Sequence, residues 1–302
     1  MEINIAVLLA VHNGMEWLAD QVETILAQTN IKVHLYISID PSEDESQAWC
    51  EKLQATDARV TLLPTNQKFG SAAPNFFRLL RDIEFDQYDY ISFSDQDDLW
   101  STDKLYQATK ELIKHNSSGY SSNVTAFWPN GQQTTINKAQ QQVEWDFLFE
   151  SAGPGCTFVM TKDLAKDIQT FIKNNQQKMK EVWLHDWFCY AYARAHGYKW
   201  VIDKKITMQY RQHDNNQVGV NQGYLALLHR VRFVMSGKAL QQSSLLASLT
   251  GLKTDPFVKI WYKHSRLGFL SLAFKAKQCR RKPSDRIFFI ASCLILSITG
   301  NH

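Results

Sequence analysis

The sequence predicts an α/β protein: a mostly parallel, twisted sheet with helices on both faces, followed by a basic helical extension at the C-terminus. Three observations carry that prediction. Apolar runs alternate with amphipathic segments through the first 115 residues, the pattern of repeated strand–helix–strand units. The runs IAVLLA and VHLYISI are rich in large apolar groups on consecutive residues, as in strands covered on both faces. Charge is also divided along the chain: residues 1–220 hold 20 Lys and Arg against 28 Asp and Glu, whereas residues 221–302 hold 13 against 2. A net charge of +3 therefore conceals −8 at the front and +11 in the tail.

The elements follow in order. A strand is expected over residues 3–10, closed by the turn residues Asn13 and Gly14, then an amphipathic helix over 16–28. A second strand over 33–39 runs into Asp40 and Pro41, with a helix around 43–55 behind it. A short strand at 60–63, a helix at 74–83, a strand at 90–94 and a helix at 102–115 complete the alternation. A later helix is expected over 186–195.

The 302 residues, 44% hydrophobic and 21% charged, exclude disorder, collagen and coiled coil, and suffice for a sizeable core. Two regions are expected, 1–220 and 221–302. Five scattered cysteines without a CxxC pair suit a reducing cytoplasm. The N-terminus, with an acidic second residue and no basic stretch, reads as a buried strand rather than a signal peptide. In the tail, HRVRF and KAKQCRRK precede the apolar run 287–298, twelve residues long and short of the ~20 that span a bilayer. Basic charge beside large aliphatic groups favours an anionic membrane surface over nucleic acid as partner, with a solvated basic face as the plain alternative. A cytoplasmic protein, peripheral at the inner face of the plasma membrane, is the matching localisation.

Ligands of such sheets bind beyond the carboxyl ends of the strands. There the chain carries Val11-His12-Asn13-Gly14, Asp40-Pro41-Ser42-Glu43-Asp44 and Ser94-Asp95-Gln96-Asp97-Asp98. Three carboxylates within four residues repel one another unless a cation neutralises them. Oxygen ligands point to Mg²⁺ or Mn²⁺, ions that share their coordination with substrate phosphates. An acidic helix start is the alternative, since a helix N-terminus favours negative charge.

FSDQDDLWSTDKL resembles the DxD-containing segment of glycosyltransferase family 2, the inverting enzymes of GT-A fold. LLAVHNGMEWLADQVETILAQT, NQKFGSAAPNFFRLL, LHDWFCYAYARAHG and YRQHDNNQVG are similar to further family segments, in the family's order, over residues 5 to about 220. The last two resemble the bacterial rhamnosyltransferase branch of surface-polysaccharide assembly.

That resemblance implies a nucleotide-sugar donor, such as dTDP-rhamnose or a UDP-hexose, and a glycan or lipid-linked glycan acceptor such as a lipopolysaccharide precursor. It implies Asp97 as a direct metal ligand and Asp95 on the ribose or the metal's waters. Asp98 would steer the donor sugar, His213 would add a metal contact, and Arg211 would clamp the diphosphate. Asp186 takes the place of the family's base, although His185 stands where many relatives carry Glu. An N-cap role would also explain an Asp at that position. Asp40 matches the acid that binds the nucleobase, with Val11 and Asn13 lining the neighbouring turn and Lys68 and Gly70 approaching the diphosphate. Ile39 and Pro41 depart from the family's pattern of two acids followed by Gly-Ser, which bears on nucleotide preference. A nucleotidyltransferase would want a Gly-rich basic loop after the first strand, which VHNG lacks. A non-catalytic nucleotide-sugar or nucleic-acid binding module is the remaining alternative.

Overall fold

The computed structural model describes residues 2–65, 67–213 and 236–300. Nine strands form one sheet, in the order β3 (Val60–Leu62), β2 (Lys32–Ile39), β1 (Asn4–Val11), β4 (Tyr90–Ser94), β8 (Val159–Thr161), β6 (Gly119–Phe127), β9 (Trp200–Arg211) and β5 (Leu99–Trp100). β7 (Gln133–Ile136) pairs outside this path with β6. From β3 to β4 every pairing is parallel, as the alternating sequence predicts. β8 then lies antiparallel to both β4 and β6, and β9 returns parallel to β6.

The continuous apolar character of β1 has a direct cause. Ile5, Val7, Leu9 and Val11 enter the core under α1 (Met15–Leu26) and α4 (Lys104–His115). Ala6 and Leu8 enter the opposite core, under α3 (Ala72–Asp82), α5 (Lys162–Asn174) and α7 (His185–Ala195). Alternate side chains point to opposite faces. Each large side chain so buried contributes about 1.5–3 kcal/mol, so slipping β1 by one residue would exchange two occupied faces and is heavily disfavoured.

The helix after the second strand, α2 (Ser46–Thr56), starts three residues later than the expected 43. Asp44 is the reason. Its carboxylate accepts the backbone N–H groups of Ser46 at 3.0 Å and Met15 at 2.9 Å, tying the start of α2 to the start of α1.

The tail is helical, with α8 (Lys238–Leu249), α9 (Pro256–Trp261), α10 (Arg266–Phe274), α11 (Ala276–Cys279) and α12 (Pro283–Thr299). Asp255 caps α9 by accepting from Phe257 and Val258, and Ser265 caps α10 by accepting from Gly268. Leu240, Leu246, Phe257, Trp261, Phe269, Leu272 and Leu296 belong to the same core as Phe147, Phe149 and Phe188. The tail is thus packed onto the sheet domain through a shared core. The expected boundary at residue 220 lies outside the described residues. The run 287–298 forms most of α12, and among the described residues no helix is long and apolar enough to cross a membrane.

Candidate active site

Strand register assembles the site. Val11 pairs with Ile39 across β1 and β2, and Leu9 pairs with Ser94 across β1 and β4. The loops beginning at His12, Asp40 and Asp95 therefore lie side by side on one rim. Gln96, the central residue of the DxD segment, braces two of them: its Oε1 accepts from the His12 amide at 2.8 Å and its Nε2 donates to the His12 carbonyl at 2.9 Å. A Cβ on Gly14 would lie 2.4 Å from Gln96 Oε1, so this close approach requires glycine. Asn13, at φ 44°, ties the same turn to the second loop; its amide donates to Ser42 Oγ and its Oδ1 accepts from Glu43 N.

The acidic centre comes next. Asp97 and Asp98 are buried, and Asp95 is half-buried above them. Burial, followed by the charges of Asp97 and Asp186, pushes Asp95 up to about 7. Asp98 is raised well above the usual carboxylate range, first by burial and then by Asp97 and Asp95. The Cys156 thiol completes a cluster with this pair, one ligand atom of each lying within 4.8 Å of the others, and burial displaces the thiol upward. Behind the cluster lies Lys104, fully buried, its Nζ 3.5 Å from the centroid of the Trp100 ring. Desolvation lowers Lys104 to about 7 against the opposing pull of Cys156 and Asp98.

The end of β9 closes over these acids. His213 Nε2 lies 2.7 Å from Asp97 Oδ2, and its ring stacks on Trp17 with centroids 4.0 Å apart. Arg211 donates through Nε to the Asp97 carbonyl at 2.8 Å and through its amide to Asp98 Oδ1 at 3.2 Å. Asp97 Oδ1 and Asp98 Oδ2 are buried with no hydrogen-bond partner among the described residues. Unpaired anionic oxygens beside an imidazole are a donor set that fits a hard divalent cation.

Asp186 stands in the first turn of α7 with Oδ1 accepting from the Trp187 amide at 2.7 Å. Its Oδ2 lies 3.1 Å from the Ser151 hydroxyl. Burial outweighs these bonds and raises it to about 6. Its charge also raises Asp95, so the two carboxylates are near enough to repel each other. Neighbouring His185 stacks on Phe76 at 3.8 Å and is driven down to about 3 by burial, which keeps the imidazole neutral.

Five of the expected residues thus lie about the acidic centre: Asp95, Asp97, Asp98, Arg211 and His213, with Asp186 facing it. On the expected nucleobase side, the residues contact one another. Val11 sends its side chain into the core, and its carbonyl accepts from the Asp40 amide at 2.9 Å. Asp40 accepts the backbone amides of Phe69 at 2.7 Å and Gly70 at 2.5 Å, so it holds the Lys68–Gly70 loop. Lys68 itself is exposed. Trp17, Gln96, Lys104, Ser151 and Cys156 also belong to this site, and sequence alone gave none of them a role. Ser151 and Cys156 did carry a signal: both lie in the Gly-containing segment SAGPGCT, which lets backbone approach closely.

A family model described as Glycosyl transferase family 2 matches residues 6–195. A dTDP-rhamnosyl transferase, RfbG of Shigella flexneri, is 40% identical over 291 residues, covering 96% of this chain and all of that protein. WfgD of Escherichia coli, described as a UDP-Glc:alpha-D-GlcNAc-diphosphoundecaprenol beta-1,3-glucosyltransferase, is 23% identical over 52% of this chain and 59% of its own. Among solved structures, S. aureus TarS 1-349 in complex with UDP-GlcNAc aligns with a TM-score of 0.52 at 13% identity, over 99% of this chain and 93% of that one. The mannosyltransferase PcManGT of Pyrobaculum calidifontis, in complex with GDP-Man and Mn2+, gives 0.54 at 14% identity, over 100% and 89%. These structures share the fold, and the family match spans the rim just described. The chain belongs to glycosyl transferase family 2 and is a glycosyltransferase that acts on a nucleotide sugar.

Proposed function

We propose that the protein is an inverting glycosyltransferase that uses a divalent metal, Mg²⁺ or Mn²⁺, and moves L-rhamnose from a dTDP donor to a hydroxyl of a lipid-linked surface glycan. The observation that carries the chemistry is Asp186: one buried carboxylate, fixed at both oxygens and raised to about 6, close enough to Asp95 for its charge to be felt there. A base poised near working pH is what removing a proton from a sugar hydroxyl needs. The acceptor oxygen forms its bond to the anomeric carbon on the face opposite the diphosphate. The carbon–oxygen bond to the diphosphate breaks with its electron pair leaving on phosphate, and the hydroxyl proton passes to Asp186. One displacement inverts the centre. Asp97 and His213, with Asp95 nearby, would hold the cation, which as a Lewis acid stabilises charge developing on phosphate. Arg211 holds the Asp97–Asp98 backbone in register, and in this reading its guanidinium would clamp the diphosphate.

The donor identity leans on the 40% identical dTDP-rhamnosyl transferase, which aligns from end to end. The experiment is nucleoside diphosphate release from a panel of dTDP-, UDP- and GDP-sugars with Mg²⁺ or Mn²⁺, comparing wild type with Asp97→Asn and Asp186→Asn. Metal-dependent release from dTDP-rhamnose supports the proposal. Release from a UDP-hexose alone transfers the assignment to that donor, and donor binding with no turnover on any acceptor overturns the enzymatic reading.

The tail suits an anionic lipid surface. On α12, Ile287, Ala291, Leu294 and Ile298 recur at helical spacing on the exposed side, and Leu267 and Phe274 are exposed on α10. The surrounding sequence, 221–302, carries 13 basic residues against 2 acidic ones. Exposed aliphatic groups among cations match the apolar edge and negative charge of such a leaflet. Co-sedimentation with phosphatidylglycerol-containing vesicles at low salt, weakened at high salt and absent with neutral vesicles, is the expected result. Indifference to both vesicle types removes the membrane, and concentration-dependent dimers at the same time assign the face to a second copy.

A further inference from the structure

We propose that Arg281, in the tail beyond the family match, is a positioning residue for the base, acting on Asp186 through Ser151. This rests on Asp186 being the base. Arg281 is fully buried, its side chain 0% exposed, among two acids of the segment that precedes the glycine loop. One terminal nitrogen donates to Asp146 Oδ2 at 2.9 Å. The other donates to the Ser151 carbonyl at 2.6 Å and lies 3.4 Å from Glu150 Oε2. Its amide donates to Glu150 Oε1 at 2.7 Å, and neighbouring Arg280 donates to the Phe149 carbonyl at 2.6 Å. The tail thereby grips residues 146–151 by side chain and backbone together.

That segment holds the base from two directions. The Ser151 hydroxyl reaches Asp186 Oδ2 at 3.1 Å, and the Gly153 carbonyl at 3.2 Å is the alternative acceptor for its single proton. Asp146 receives Arg194 at 2.9 Å and Tyr190 at 2.8 Å, both on α7, the helix whose first turn carries Asp186. A guanidinium offers donors in a fixed planar fork, which a lysine cannot copy. A buried ion pair between these groups serves geometry more than stability. Ser151 is therefore held at its carbonyl by the tail, with its hydroxyl turned to the base. When Asp186 is ionised the hydroxyl donates to it, and when Asp186 has taken up the acceptor's proton the hydroxyl can turn to Gly153.

The other titratable groups about Asp186 are Lys138, whose charge lowers it, Asp95 and Cys189, which its own charge raises, and the adjacent His185, held neutral by burial. None of them bonds Ser151. Among the titratable groups, removing the Ser151 hydroxyl should therefore act directly on the base.

The test compares Arg281→Lys, Ser151→Ala, the double variant, Asp186→Asn and the core control Trp261→Phe, measuring kcat, donor KM, the acid limb of the rate profile and thermal unfolding. Arg281→Lys and Ser151→Ala should each lower kcat on the order of tenfold, with donor KM little changed, as for a misplaced reacting group. Loss of the hydroxyl bond should also move the acid limb upward by about half a unit or more. The double variant should be no slower than the worse single one, because both act along one path. Trp261→Phe should unfold earlier but turn over normally. Earlier unfolding of Arg281→Lys with unchanged kcat and unchanged acid limb overturns the proposal. If Arg281→Lys does not fold, Ser151→Ala decides alone, and normal kcat there overturns it too. Retained turnover in Asp186→Asn would instead show that the reading of the base had failed.

Discussion

Asp186 is held in an environment that disfavours its charge. Its ordinary value is 3.8 and the folded value is about 6, raised by burial. The folded protein thus binds this proton more tightly than the unfolded chain, so the associated stability is present below pH ~4 and is lost as pH rises through ~6. At neutral pH the penalty approaches an upper limit of about 3 kcal/mol, since one unit corresponds to about 1.4 kcal/mol. Asparagine keeps an acceptor for the Trp187 amide and carries no charge. Asp186→Asn is therefore expected to unfold a few degrees later than wild type at pH 7.5, while transfer is lost. Differential scanning calorimetry beside a transfer assay checks both halves, and an unchanged or lower melting temperature counts against the electrostatic account. In the wild type kcat/KM should fall tenfold per unit below about pH 6, as the base becomes protonated.

Asp97 makes the opposite trade. Among the described residues its Oδ1 and Asp98 Oδ2 have no partner, and a bound cation would supply one. Saturating Mn²⁺ at a hundred times its dissociation constant should add about 2.7 kcal/mol of stability. Asp97→Asn should abolish that thermal shift and reduce turnover on the order of a hundredfold or more. Melting with and without the ion, before any donor is added, reads the first effect independently of the second.

At the scale of elements, glycine decides how closely two segments can meet. A Cβ on Gly155 would lie 2.8 Å from His185 Nε2 and 3.2 Å from the Asp186 Cβ. His185 is pinned by stacking on Phe76, so the first turn of α7 would have to move. Gly155→Ala should then lower kcat by at least tenfold with a modest loss of stability, because small displacements of a reacting group are costly to rate. A variant with normal kcat would mean that the turn has slack. The same scale explains what could be read beforehand. β1 to β4 and α1 to α4 were legible because both faces of the parallel strands are apolar and each helix keeps one apolar side. β5, β6 and β7 were not. β6 reads GYSSNVTAF, with Ser121, Ser122 and Asn123 buried, and Ser121 and Asn123 are satisfied by the Ala152 carbonyl of a distant loop and the Lys204 carbonyl of β9, which no local pattern announces. In the site, acids at strand ends were visible from spacing alone. Trp17 and Ser151 were not, since each matters only through a partner distant in the sequence: His213 for one, Asp186 and Arg281 for the other.

For the whole molecule, the two oppositely charged regions share one core. The sheet domain alone would leave Phe147, Phe149 and Phe188 without the tail residues Phe257, Trp261 and Phe269 of their shared core. It would also leave Asp146, 0% exposed, with Arg194 but without Arg281, and breaking a buried pair from one side costs roughly 3–5 kcal/mol. Losses of that size rival the total stability of a domain, roughly 5–15 kcal/mol. The intact chain is thus expected to melt in one transition, with calorimetric and van 't Hoff enthalpies in agreement. A chain ending at residue 235 should be insoluble or bind ANS strongly rather than behave as a free catalytic domain. Two resolved transitions, with the earlier one leaving donor binding intact, would separate the tail from the fold and with it remove the route from Arg281 to the base. A single transition accompanied by loss of donor binding ties the family domain and its basic extension into one cooperative structure, in which the helix bearing the exposed apolar face of α12 and the helix bearing Asp186 are packed on the same core.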